Sequence, residues 1–393
     1  MADSFQENAS PLSGAGAPPS TAPDISLCVK CGLCLPGCPT YRLAECESAS
    51  PRGRIALVQG LEAGLLAPDR ATHERLSGCL GCGRCEAACP SQVPYGAIVR
   101  RGLAATGRHR TWRQRAALAV VGRPALARRL ARLAGPLRWL LPAGRGRRLL
   151  ARVAERPVPA PHPLEGRRGR VALFTGCSEA LLDGEVLAAA ARLLSRAGYE
   201  VVWLGGPACC GALASHAGRV DEARRRLDAL RRRLADAGPL LAVVVAASGC
   251  AAHLVDEIGV PFRELSDFLA DPGVLAGLSF RSLPARVGLH LPCTQVNRLG
   301  AATAPAALLS LIPQLERVPL GSPGDCCGAG GLTFVGHPRQ AEALRRPWVE
   351  RISAEGLALV VTTNAGCGFH LEGGAPGVRF IHPVTLLAEQ LVE

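Results

Sequence analysis

Cys28-Val29-Lys30-Cys31-Gly32-Leu33-Cys34-Leu35-Pro36-Gly37-Cys38-Pro39 is answered further along the chain by Cys79-Leu80-Gly81-Cys82-Gly83-Arg84-Cys85-Glu86-Ala87-Ala88-Cys89-Pro90. Both runs space their cysteines x2, x2 and x3, and both close on Cys-Pro. A tight CxxCxxC loop directs three thiolates at one cubane iron–sulfur cluster. The fourth cysteine, just before proline, lies too far round the turn and reaches the cluster of the other run. The expected ligand sets are therefore crossed. Cys28, Cys31, Cys34 and Cys89 hold cluster one, and Cys38, Cys79, Cys82 and Cys85 hold cluster two.

This is the spacing of bacterial ferredoxins, present twice. Four thiolates also suit tetrahedral zinc, but zinc motifs take two close pairs, not three cysteines at x2 and x2 followed by Cys-Pro. Cys46 fits no ligand spacing and reads as a small hydrophobe outside the site. Between the runs, Arg52–Leu61 has helical periodicity and spaces the two loops so that they cross-ligate.

The chain has 393 residues and 17 cysteines, enough length for two or three domains. No secretory signal is visible in the first 26 residues, so the cysteines are expected in a reducing compartment as metal ligands rather than disulfides. No apolar run is long enough to span a membrane. The expectation is a cytoplasmic protein, with peripheral contact at the cytoplasmic face of the inner membrane as an open addition. The net charge is +13, but it is local. Arg100–Arg170 holds 19 arginines against Glu155 and Glu165, so the rest of the chain is net acidic.

Residues 1–23 are rich in Ser, Ala, Pro and Gly and read as a disordered arm. Residues 24–107 form the two-cluster domain. Residues 108–168 form an Arg-rich helical linker, cut into short pieces by Pro124, Pro136 and Pro142. Its basic amphipathic pieces suit either solvated linker helices or an anionic membrane surface. No nucleic-acid motif accompanies the charge. Pro157–Pro163 reads as a stiff connector ending the linker.

The remainder is a duplication. Cys177, Cys209-Cys210-Gly211 and Cys250 recur as Cys293, Cys326-Cys327-Gly328 and Cys367, at offsets of 116 to 117 residues. Residues 169–285 and 286–393 are the two copies. Arg170–Thr175, Glu200–Leu204 and Leu240–Ala246 read as strands, as do Arg286–Leu291, Arg317–Leu320 and Leu357–Thr362. Helices are expected around Gly184–Ala197 and, as one long element, near Leu213–Ala237. Strands alternating with helices imply right-handed crossovers and a parallel sheet. Ligands in such sheets collect at the strands' carboxyl ends, where each cysteine group falls. Each copy thus gathers a thiolate-rich metal site: Cys177, Cys209, Cys210 and Cys250, then Cys293, Cys326, Cys327 and Cys367. His253 and His370, each three residues past a cysteine, are candidates to complete coordination. His290 has no counterpart in the first copy and receives no role. Whether these sites hold further iron–sulfur clusters or zinc stays open. The fold class is α+β multidomain: a helical two-[4Fe-4S] ferredoxin-type domain, a basic helical linker and two α/β parallel-sheet modules.

The doubled Cys-Cys-Gly modules resemble the CCG domain of heterodisulfide-reductase-like subunits. Joined to a two-cluster domain, they resemble the iron–sulfur subunits of glycolate oxidase (glycolate dehydrogenase). Local matches are Cys38-Pro39-Thr40-Tyr41, Ser50-Pro51-Arg52-Gly53-Arg54-Ile55 and Cys89-Pro90-Ser91-x-Val93-x-Tyr95-Gly96. One departure is that heterodisulfide reductase modules end in Cys-x-x-Cys, where this chain has Cys-x-x-His twice. The resemblance implies an FAD-containing 2-hydroxy-acid oxidase as partner, oxidising glycolate to glyoxylate. This chain would pass its electrons towards a quinone or another non-oxygen acceptor, with no catalytic residue of its own. No G-x-G-x-x-G fingerprint contradicts that division of labour. The alternatives are a heterodisulfide or thiol reductase-type subunit, a lactate or glycerol-3-phosphate dehydrogenase subunit, and a zinc-stabilised scaffold.

Overall fold

The computed structural model describes residues 24–135, 139, 144–155, 168–204, 208–258 and 262–392. The expected arm at 1–23 and the Pro157–Pro163 connector lie outside them.

The amino-terminal domain is helical. Ser50 caps the helix Pro51–Glu62 by accepting from the Gly53 amide at 2.9 Å. Proline stands in its first turn, where no donor is lost. This helix packs with Arg70–Ser77 and Tyr95–Ala105 around Ile55, Val58, Leu76, Ile98, Val99 and Leu103. Cys28, Cys79, Cys85 and Cys89 border that small core.

The two modules each build a four-stranded parallel sheet. The first has β1 (Arg170–Phe174), β2 (Glu200–Trp203), β3 (Ala242–Val245) and β4 (Phe262–Glu264), in the order β2-β1-β3-β4. The second has β5 (Arg286–His290), β6 (Glu316–Leu320), β7 (Leu359–Thr362) and β8 (Arg379–Ile381), in the order β6-β5-β7-β8. The duplication extends to register. Arg170 pairs with Glu200 and Arg286 with Glu316, each as a strand pair and as an ion pair.

Alternation within β1 assigns the two faces of its sheet. Val171 and Leu173 enter a core shared by both modules with Val287, Leu289, Val361 and Ile381. Ala172 and Phe174 face the first module's own core with Val243 and Val245. A period of two in a buried sheet produces this division. The helices Glu185–Arg196 and Pro383–Gln390 pack together across the shared core. The modules are therefore joined through apolar surface, not merely tethered.

Two expectations change. Each sheet has a fourth strand, β4 and β8, beyond the three read from sequence. The long helix expected near Leu213–Ala237 is two, Ala212–His216 and Val220–Asp236. Gly218 separates them at φ +72°, where a Cβ would meet the backbone of Ala104 at 2.4 Å. The two-cluster domain lies against that corner.

The linker helices Trp112–Val121, Pro124–Ala134 and Arg145–Glu155 strap the modules. Ala127, Ala131 and Val153 pack on Leu181 of the first module, and Arg152 pairs with Glu372 of the second. Part of the expected amphipathic face is thus covered by this chain, while Leu126, Leu130 and Leu133 stay exposed. Among the described residues no helix is long and apolar enough to cross a membrane.

Candidate metal centre

The cysteines line two cavities, with Cys89 beside the first run and Cys38 beside the second. A small cavity of about 40 Å³ is bordered by Cys28, Cys31, Cys34 and Cys89, with Cys85 at its edge. A larger one of about 320 Å³ is bordered by Cys38, Cys79, Cys82 and Cys85 on the amino-terminal side. Its opposite walls are the eight module cysteines: Cys177, Cys209, Cys210, Cys250, Cys293, Cys326, Cys327 and Cys367. Cys46 borders neither cavity; its sulfur sits 3.2 Å from Ser48 Oγ.

The loop Cys79–Cys85 is held from behind by both modules. Thr333 Oγ1 donates to the Cys79 carbonyl at 3.0 Å, and Gln340 donates to Gly78 at 2.9 Å. Asn297 donates to the Cys82 carbonyl at 3.1 Å. Arg84 pairs with Asp325, and Arg298 with Glu86. A Cβ on Gly330 would stand 2.4 Å from the Leu80 carbonyl, so glycine is required for this close approach. His216 packs against Gly81 from the first module. Burial and the cations Arg100 and Arg298 hold its imidazole neutral, with a pKa pushed down to about 4.

Two residues quoted above only as family markers sit beside the expected ligands, one through Thr40 and one directly. Arg54 is 2% exposed and donates from Nη1 to Thr40 Oγ1 at 3.0 Å. Thr40 Oγ1 lies 3.3 Å from the Cys38 sulfur. Burial opposes the guanidinium charge, but Tyr95, Cys79 and Cys38 outweigh it and raise its pKa. Tyr95 Oη donates to the Cys79 sulfur at 3.5 Å, and the Gly81 amide does so at 3.4 Å. Donors and a buried cation beside thiolates are the means by which a protein tunes a cluster.

In the modules the thiols pair in the same way twice: Cys177 with Cys209 and Cys210 with Cys250, then Cys293 with Cys326 and Cys327 with Cys367. Cys210 and Cys250 sulfurs are 3.1 Å apart. Cys177 and Cys293 open the helices Cys177–Leu182 and Cys293–Asn297, while Cys250 and Cys367 sit in the first turns of Ser248–Ile258 and Ala365–Glu372. Within these pairs the proton is held on one sulfur: the hydrogen bond to the partner cysteine, together with burial, raises the Cys177, Cys250 and Cys367 thiols well above their ordinary value. The hydrogen bond from Cys177, with Arg226 nearby, brings the Cys209 thiol down to about 6. The hydrogen bond from Cys367, with His290, puts the Cys327 thiol well below its ordinary value. Such thiols are poised to ligate metal.

The two candidate histidines have different surroundings. His370 Nε2 meets the Ala341 carbonyl at 3.0 Å. His253 borders the large cavity, and burial pushes its pKa down to about 3. The histidine brought among the sulfurs is His290, which received no role from sequence. His290, Cys327 and Cys367 present donor atoms all within 4.8 Å of one another, the one such group among the described residues. The position of His290 at the carboxyl end of β5 was the available signal.

Residues 24–93 match the 4Fe-4S dicluster domain family, and residues 171–255 and 287–372 match the CCG cysteine-rich domain family. A glycolate oxidase iron–sulfur subunit of Escherichia coli (strain K12) is 32% identical, over 93% of this chain and 94% of the relative. A probable glycolate oxidase iron–sulfur subunit of Bacillus subtilis (strain 168) is 30% identical, over 92% of this chain and 93% of the relative. A component of the dihydromethanophenazine:CoB–CoM heterodisulfide reductase of Methanosarcina barkeri (strain Fusaro) is 25% identical, over 94% of this chain and 93% of the relative. With a thiolate set of ferredoxin spacing gathered around two cavities and relatives that align nearly end to end, the chain is an iron–sulfur protein of the glycolate oxidase iron–sulfur subunit family.

Proposed function

We propose that this chain is the electron-transfer subunit of a glycolate (2-hydroxy-acid) dehydrogenase, taking electrons from an FAD-containing partner that oxidises glycolate to glyoxylate. The acceptor is a quinone or another non-oxygen species. The observation carrying this reading is the crossed grouping of the amino-terminal cysteines around two cavities. Cys28, Cys31, Cys34 and Cys89 are assigned to one [4Fe-4S] cluster, and Cys38, Cys79, Cys82 and Cys85 to the other. The module cysteines are assigned to further metal, with His253, which borders the larger cavity, and His370 as candidate additional ligands.

Bound clusters supply one-electron chemistry; the chain's residues position them and set their surroundings. Cys31 is exposed, as are Leu27, Val29 and Leu33 around it. This exposed apolar rim supports approach of a partner to the first ligand set. The second set lies inside, sharing its cavity with the module thiols. Tyr95, the Gly81 amide and Arg54 lower the negative charge density at Cys79 and Cys38, which favours the reduced form at the inner position.

Anaerobic purification, iron and sulfide analysis and EPR test the assignment. Eight iron and eight sulfide per chain are expected from these two clusters, with reduction by glycolate once the flavoprotein is added. Zinc without iron in the amino-terminal domain overturns it. A second reading, thiol–disulfide reduction at the modules, draws on the 3.1 Å approach of Cys210 and Cys250. Disulfide turnover by the chain alone with reduced viologen would favour it over glycolate-dependent reduction.

A further inference from the structure

The two modules align residue for residue along their central strands, yet they differ at the rim. His290 ends β5 where Phe174 ends β1. Thr362 ends β7 where Val245 ends β3. A polar pair has replaced an apolar pair at one place, in otherwise equivalent buried surroundings.

That exchange is costly unless each polar atom finds a partner. His290 is 1% exposed. Its Nδ1 lies 2.8 Å from Thr362 Oγ1, and the Trp348 ring packs edge-on against the imidazole at 4.7 Å between centroids. Nε2 is buried with no hydrogen-bond partner. One ring nitrogen of His290 and the sulfurs of Cys327 and Cys367 all lie within 4.8 Å of one another. With Nδ1–H donating to Thr362, Nε2 presents its lone pair to that space. Orienting the far ring nitrogen in this way is how ligating histidines are commonly held.

We propose that His290 Nε2, Cys327 and Cys367 bind a single zinc ion in the second module, the adjoining Cys293–Cys326 pair supplying the fourth ligand, and that the first module's centre is sulfur-only. This rests on the reading that the modules bind metal. A tetrahedral site with zinc–sulfur bonds of about 2.3 Å and zinc–nitrogen bonds of about 2.0–2.1 Å sets its donors roughly 3.5–3.8 Å apart. The group needs only to contract slightly around one ion. Ligands to separate irons of a cluster stand farther apart, by the metal–metal separation.

The test is X-ray absorption at the zinc edge on the anaerobically purified full chain, with zinc and iron counted per chain. A mixed nitrogen–sulfur shell is expected in the native protein. In His290→Phe, which copies the first module's own residue, the nitrogen shell is lost or zinc falls by one equivalent per chain. Iron content and the EPR of the amino-terminal clusters stay unchanged, which also verifies folding. A sulfur-only shell in the native chain, or an identical shell in native chain and variant, overturns the ligand assignment. Iron in place of zinc at this group, read as iron lost on Cys327→Ser, overturns the single zinc ion while leaving metal binding by the modules intact. Metal content unaffected by Cys327→Ser and Cys367→Ser together overturns the underlying reading instead.

Discussion

The Asn297 side-chain amide donates to the Cys82 carbonyl at 3.1 Å and to the Gly324 carbonyl at 3.0 Å. One side chain of the second module thereby fastens the middle of the inner cysteine loop to the module's own turn. The inner ligand set and the module thiols are consequently parts of one chamber.

Replacing Asn297 by Ala leaves two carbonyls without their donor, at about 1–3 kcal/mol for each that stays dry. The expected result is a lower unfolding midpoint and faster bleaching of the inner cluster in air, followed by visible absorbance. An Asn297→Asp chain should fare no better, since a carboxylate cannot donate. Bleaching at the native rate in both variants counts against the fastening role.

Gly330→Ala forces a methyl group against the Leu80 carbonyl, a backbone atom that cannot swing aside. Iron per chain is expected to fall by about half, the share of one of two four-iron clusters. Gly146→Ala, whose Cβ meets nothing within 4 Å, is the control. It should be neutral or gain up to about 1 kcal/mol of helix stability.

Cys38→Ser and Cys89→Ser distinguish crossed from uncrossed ligation. In the crossed arrangement Cys38→Ser disturbs the cluster of Cys79, Cys82 and Cys85, which sits beside Arg54 and Tyr95. Its EPR change should match that of Cys82→Ser, and that of Cys89→Ser should match Cys31→Ser. The reverse matching indicates that each run holds its own cluster.

Glu264 tests a pH dependence. Its carboxylate is buried; it accepts from the Ser266 and Asp267 amides and from Gln295, and His382 Nε2 lies 3.8 Å away. Burial lifts its pKa from 4.5 to about 7. Because the folded value is raised, its contribution to stability is complete below about pH 4.5 and drains away as pH rises through about 7. Burial pushes His382 down to about 3, so its contribution is present above 6.5 and fades only as pH falls towards 3. Between pH 5 and 8 the native chain should therefore lose roughly 3 kcal/mol relative to Glu264→Gln. Denaturant midpoints of the two proteins across that range measure it, and parallel curves refute it.

The cysteine framework was legible because its spacing is local: three thiols on one short loop need no distant contact to be recognised. The duplication was legible for a similar reason, since equal offsets survive whatever the packing. The strands β4 and β8 were not, being three-residue edge elements too short for a period to register. The break at Gly218 was hidden in a helix-favouring run, because its cause is the backbone of Ala104 in another domain. Arg54 and Tyr95 stood in the quoted motifs, but nothing local indicated that Tyr95 would bond the Cys79 sulfur or that Arg54 would be buried against Thr40 beside Cys38.

Residue order alone therefore established which sulfurs act together within a loop and that two equivalent modules follow, since ligand spacing and repeat register are properties of the covalent chain. Folding added the common chamber and brought His290 beside the Cys327 and Cys367 sulfurs. Those depend on strands β5 and β7 lying side by side and on the Cys79–Cys85 loop seating against both modules, contacts between residues far apart in the chain that burial of the shared apolar core brings together.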